Sequence, residues 1–213
     1  MDEEISIIDA KTRNEKIRDF LINNKKRIII FLIIVIIIFL SFFGFKMNKD
    51  SKKKQISEIY NKALIYHSKG DLNAARDLLS ILVKEKDPTY SPLALYFIID
   101  NNLKENQEVN NLFDILINKT SLEDEIKNLI IYKKALYNAD TTNENDLLKI
   151  LNPLINSKSV WKSHGLYLVA EYYFAKNEKE KSKEFFNKIL LIESANQEIL
   201  KETQKRLNRD LSE

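Results

Sequence analysis

Residues 63–79 read ALIYHSKGDLNAARDLL, and residues 170–186 read AEYYFAKNEKEKSKEFF. With Gly70 set over Asn177, Ala63 falls on Ala170, Tyr66 on Tyr173, Ala75 on Ser182, Leu79 on Phe186 and, further on, Leu82 on Ile189. Each stretch places apolar residues three and four apart and then offers a turn residue. Gly70 suits the left-handed conformation that ends a helix, and the apolar spacing then resumes. That is a pair of helices joined by a tight turn, with Asp71 as N-cap of the second. The small residues Ala63, Ala75, Ala170 and Ser182 predict a close crossing. The larger Tyr66, Leu79, Tyr173 and Phe186 are expected to fill the space between neighbouring pairs. One such pair cannot bury its own apolar face, so several must stack.

Working outward, the first helix is expected over 53–68 and the second from Asp71 to near Asp87-Pro88. Two degenerate pairs follow, over 92–103 with 105–118 and over 122–139 with 144–157. Pro153 is expected to kink or shorten the last of these. The returning unit covers 164–176 and 178–191, and an amphipathic helix over 196–211 is expected to cap the stack. The offset between the two similar units is about three tetratricopeptide periods of 34 residues, with a few residues inserted. Only three glycines and three prolines occur in 213 residues, which favours helices over strands and turns. The expected fold is all-α: one N-terminal transmembrane helix, then a right-handed solenoid of degenerate tetratricopeptide-like helix pairs with a C-terminal capping helix.

The transmembrane expectation rests on residues 28–45, which carry no charge. Eighteen residues at about 1.5 Å each reach roughly 27 Å, close to the hydrocarbon thickness of a bilayer. Their apolar side chains favour insertion by about 5–10 kcal/mol. A cleavable signal peptide fits less well, because the basic region before the run is long and no small-x-small site follows. The chain therefore divides into a basic arm at 1–27, a membrane helix at 28–45 and a repeat domain at 46–213. Residues 5–22 suit a short amphipathic helix along the headgroups or a partly ordered helical arm. Six basic residues stand near the span on one side and five on the other. The Lys25-Lys26-Arg27 cluster leans toward a cytoplasmic N-terminus. Lys52-Lys53-Lys54, beyond the span, reads as a solvated charge run able to meet anionic headgroups.

Residues 51–213 hold 25 Lys and Arg against 24 Asp and Glu. A near-neutral domain lacks the basic field that nucleic-acid binding requires, so no nucleic acid is expected as a partner. The absence of cysteine removes disulfides, thiolate metal sites and thiol nucleophiles. His67 and His164 lack metal-ligand spacing, and glycines at 44, 70 and 165 alone cannot form a phosphate loop. Glu123, Asp124 and Glu125 read as capping charge at a helix start. No catalytic residue, cofactor or metal is expected, and the chain is not expected to be an enzyme. Trp161 reads as an anchor between the third and fourth pairs or as an exposed recognition residue. Tyr60 and Tyr167 occupy matching points of their helices, as do His67 and Phe174. In a right-handed stack these four face the concave side, where an aromatic groove would hold an extended or helical peptide. Packing against neighbouring helices is the equal alternative.

The basic arm, single span and four-pair repeat domain resemble the tetratricopeptide-like ancillary subunit of the bacterial Sec translocon. The run Leu151-Asn152-Pro153-Leu154 and then Val160-Trp161-Lys162-Ser163-His164 is similar to the stretch opening the last helix pair in the alphaproteobacterial branch of that family. The second pair departs from the pattern in lacking a glycine turn, and small crossing residues are sparse in the middle. The resemblance implies a cytoplasmic N-terminus, an inner-membrane span and a periplasmic repeat domain. It implies an accessory or scaffold role, with the Sec translocon, exported polypeptides or periplasmic chaperones as protein partners and lipid around the span. Coordination of envelope assembly or cell division suits the same architecture, and a membrane-anchored enzyme with an unrecognised site is the remaining alternative.

Overall fold

The computed structural model describes residues 15, 16 and 18–211, apart from the side chain of Ile28. Among these residues every regular element is helical. The helix expected over 5–22 lies outside the described residues up to residue 14 and again at Ile17, while residues 18–23 are helical. The chain forms two compact units, one reaching Gln55 and one beginning at Ile56.

Helix α1 runs Lys25–Ser68, and the division between the units falls inside it. In the first unit nearly all its apolar side chains stand open, Ile29 at 46% and Phe45 at 74% exposure among them, with Val35 partly covered. A helix apolar all round needs surroundings other than water, and this one is long and apolar enough to span a membrane. The sequence places a break between residue 45 and Lys53, but the helix has none. Residues 46–55 contain neither proline nor glycine, so nothing interrupts the backbone ladder there.

The second unit takes α1 from Ile56 onward and adds α2 (Leu72–Lys84), α3 (Tyr90–Asp100), α4 (Asn106–Lys119) and α5 (Asp124–Asn138). It continues with α6 (Glu144–Ile155), α7 (Lys162–Ala175), α8 (Lys179–Leu190) and α9 (Gln197–Asp210). One turn design recurs. Gly70 has φ +83°, and its N–H donates to the His67 carbonyl while the Asp71 N–H reaches the Tyr66 carbonyl. Asn177 (φ +61°) repeats this with Phe174 and Tyr173, and Asn102 (φ +50°) with Ile99 and Ile98. This is the Schellman closure, and it satisfies two carbonyls that the helix end leaves open. The second pair does lack the glycine turn, yet it closes in the same way: Asn102, one of the few side chains tolerant of that conformation, takes the place of glycine. The third connection differs. The Asn138 carbonyl accepts from Thr141 and Thr142, and Asn143 caps α6 by accepting from the Asp146 N–H at 3.0 Å.

Four residues after each N-cap of the second helices stand Ala75, Val109, Leu147 and Ser182, all at most 1% exposed. The first and last pairs hold a small side chain at this buried position, and the middle pairs fill it with the larger Val109 and Leu147. Gly165 serves a similar end between α6 and α7, because a Cβ there would lie 3.0 Å from Leu154 Cδ2. Pro153 stands inside α6, which ends two residues later at Ile155. Tyr66, expected between neighbouring pairs, is instead half-buried with the Lys62 ammonium over its ring. Tyr173 does reach the preceding pair, donating its hydroxyl to Glu144 at 2.7 Å. No pair precedes α1 in the second unit, so Tyr66 has no such partner.

Three apolar clusters follow one another along the chain. The first joins α1 through α4 and Ile130 of α5, the second α5, α6 and α7, and the third α7, α8 and α9. Helices α5 and α7 are therefore shared, giving one face to the cluster before and another to the cluster after. Adjacent residues show the sharing: Ile130 and Ile131 of α5 lie in different clusters, as do Val169 and Ala170 of α7.

Candidate functional site

Seven residues are two helical turns, so Tyr60 and His67 share one face of α1. Tyr90 and Phe97, also seven apart, face them from α3. The Tyr60 and Tyr90 rings lie 5.6 Å apart, and His67 meets Phe97 edge-on at 4.9 Å. Burial raises the Tyr60 phenol above its ordinary range, and Tyr90 adds to the shift.

Tyr167 and Phe174 hold the same spacing on α7. Tyr167 meets Phe186 of α8 edge-on at 5.4 Å, while the Arg206 guanidinium of α9 lies 4.9 Å above the Phe174 ring. Arg206 also grips Glu171 through two bonds of 2.7 Å and Asp210 at 2.8 Å. Burial is the main cause of the raised Tyr167 pKa, followed by the Glu171 carboxylate. Helix α9 thus lies on the aromatic face of α7. The four residues named from the sequence form two separate sets, Tyr60 and His67 packed on α3 and Tyr167 and Phe174 packed on α8 and α9.

A third aromatic contact joins α5 to the start of α7. Tyr132 stacks on Trp161 with ring centroids 6.2 Å apart, and His164 sits 4.9 Å from Trp161 and 5.7 Å from Tyr132. Trp161 is half-buried and anchors the third pair to the fourth. Burial pushes the His164 imidazole below its ordinary range, against weaker support from the Val160 carbonyl and the Glu198 carboxylate. On α3, the Lys133 ammonium covers the Tyr96 ring at 4.5 Å. Burial raises the Tyr96 phenol to about 12. Tyr90, Tyr96, Phe97 and Tyr132 were not singled out from the sequence. The seven-residue spacing of Tyr90 and Phe97, identical to that of Tyr60 and His67, is the signal that points to two of them.

An open cleft of 540 Å³ lies among α4, α5 and α6, with Ile117, Ile131, Ile150 and Pro153 in its lining. Polar pairs cross it: Lys134 holds Asp114 at 2.7 Å, and the Asn110 and Asn138 amides exchange two bonds of 2.8 Å. Glu125, read as capping charge, stands in the first turn of α5 and accepts a bond from the Ser159 hydroxyl at 2.7 Å. Glu144 is held below the usual carboxylate range, first by the Tyr173 hydroxyl and then by Lys181. These carboxylates are engaged in joining helices. Among the described residues no three His, Asp or Glu side chains converge in a manner suited to a metal. Comparison with protein-family models, curated proteins and solved structures finds no match for this chain.

Proposed function

We propose that this chain is a membrane-anchored protein–protein interaction protein, working as an accessory or scaffold rather than by catalysis. Its repeat domain is a right-handed solenoid of tetratricopeptide-like helix pairs. The observation that carries this reading is the recurrence of one turn design at Gly70, Asn102 and Asn177, downstream of a helix apolar on every face. Stacked helix pairs present long surfaces to partners, and chemistry at such surfaces is recognition. Tethering by α1 concentrates that surface at the bilayer, so that modest contacts suffice for occupancy.

The partner class comes from the sequence resemblance. The N-terminal arm is cytoplasmic, α1 crosses the bacterial inner membrane, and the repeat domain is periplasmic, where it contacts the Sec translocon, exported polypeptides or periplasmic chaperones. Cross-linking in intact membranes, followed by identification of the linked proteins, tests this. Recovery of translocon subunits or exported chains supports the reading, and their absence from saturating cross-links removes the Sec assignment. Reporter fusions at both termini test the orientation separately.

A further inference from the structure

We infer that the cleft where α6, α7 and α8 meet binds a peptide carrying a large apolar side chain beside a carboxylate. The cleft holds 360 Å³, and its lining includes Ile155, Phe185, Leu191 and Ile192 together with Lys162 and Lys188. Leu191 is 83% exposed at the C-cap of α8. A leucine so open, beside a half-buried apolar floor, leaves apolar area that a partner side chain would remove from water.

The charges decide what that partner carries. The lining contains two lysines and no carboxylate. Lys188 is already compensated: it holds Glu184 at 2.6 Å, covers the Phe185 ring at 4.2 Å and stands in the last turn of α8, where the helix dipole favours a cation. Lys162 is not. It is half-buried, and its ammonium makes no ion pair or hydrogen bond among the described residues. The first turn of α7, where it stands, contains no acidic residue. A carboxylate entering beside an apolar side chain would pair with Lys162 while its neighbour covers Ile155 and Leu191. The volume of the cleft suits about two or three side chains and is too small for a long acyl chain, which favours a peptide over a lipid. This surface deepens the interaction reading and rests on it.

Selection of a displayed random octapeptide library on the full chain, held in nanodiscs of neutral lipid, tests the inference. Enriched peptides should place Leu, Ile or Phe next to Asp or Glu. Fluorescence anisotropy of the best peptide should show binding weakened at least about tenfold by Lys162→Glu, by Leu191→Ser, and by exchange of the peptide's own carboxylates for amides. An unchanged melting temperature in each variant separates lost contact from lost fold. No enrichment, or binding indifferent to both substitutions, overturns the inference. So does oleate binding at this cleft without peptide enrichment, or self-association that Leu191→Ser abolishes. Translocon cross-links that persist in the Lys162→Glu, Leu191→Ser chain leave the proposed function standing and remove this cleft from it.

Discussion

Ser182 on α8 donates its hydroxyl proton to the Ala170 carbonyl of α7, 2.8 Å away, at the point where the two helices cross. Both residues are fully buried. Ser182→Ala removes one buried bond and should cost about 0.5–1.5 kcal/mol. Ser182→Leu overpacks the crossing and should cost about 1–3 kcal/mol or more. At the matching position of α6 the order reverses: Leu147→Ala opens a cavity and should cost about 2–5 kcal/mol. Thermal unfolding of the three variants reads the series.

The left-handed turns predict opposite signs for opposite exchanges. Gly70→Ala puts a Cβ on a backbone at φ +83° and should destabilise by about 1–2 kcal/mol, although nothing lies within 4 Å of that Cβ. Asn102→Gly and Lys86→Gly relieve φ values of +50° and +58° and should be neutral or stabilising by up to about 1 kcal/mol. Melting temperatures check both signs, and a stabilising Gly70→Ala contradicts the turn as described.

Arg206 ties α9 to α7 through Glu171 and Phe174. Arg206→Ala should cost about 1.5–3 kcal/mol, because it strips charged hydrogen bonds from a quarter-exposed carboxylate. Arg206→Lys should restore only part, since an ammonium cannot grip both Glu171 oxygens while lying flat on a ring. Limited proteolysis should release α9 first in either variant. Arg209 and Arg206 hold the Asp210 carboxyl well below the usual range. Its contribution is therefore complete above the ordinary aspartate pKa and fades as pH falls toward the depressed value.

His164 sets a pH dependence in a milder window. Its folded pKa lies below the ordinary 6.5 because burial disfavours the imidazolium. An unfolded chain then binds a proton that the folded chain refuses. Stability is complete above about 6.5 and declines as pH falls from there through the folded pKa. Tm should drop between pH 7.5 and pH 5, and His164→Phe should flatten that part of the profile. An unchanged slope would remove His164 as the cause.

Ile34→Arg places a charge in the middle of the apolar stretch and should oppose insertion by about 2.5–3.5 kcal/mol. The native chain should stay with membranes through alkaline carbonate extraction, and the variant should be released in part. A native chain that is soluble without detergent would defeat the membrane reading.

The sequence made the first and last helix pairs readable because the same apolar spacing recurs on both sides of Gly70 and of Asn177. Gly70 admits one interpretation, and the Asp71 cap, whose carboxylate accepts the Ala74 N–H at 3.1 Å, confirms the restart. Asn102 was missed because asparagine also suits caps and loops, and Asn101 beside it offers a second candidate. The unbroken length of α1 was missed for the opposite reason. The change from apolar to lysine-rich residues looks like a boundary, yet composition alone does not end a helix without a residue that breaks it. The aromatic residues were legible as equivalent positions, but spacing could not say what lies above them. Arg206 over Phe174 is a contact 32 residues away in sequence, and only the fold brings it there. The cleft beside Lys162 was invisible for the same reason, since its floor draws on three helices.

Helix α1 continues from its apolar stretch to Ser68 without a fresh start. Starting a helix fixes three residues for one hydrogen bond, against odds of about a thousand to one, whereas extending it adds a bond for every residue. Residues 56–68 therefore grow as an extension of turns already formed. If the apolar stretch is seated in lipid as proposed, its turns become the template on which the first hairpin winds, and folding would run from that stretch to the first pair and then to the pairs beyond. A polypeptide shorn of that template must initiate its opening coil unaided.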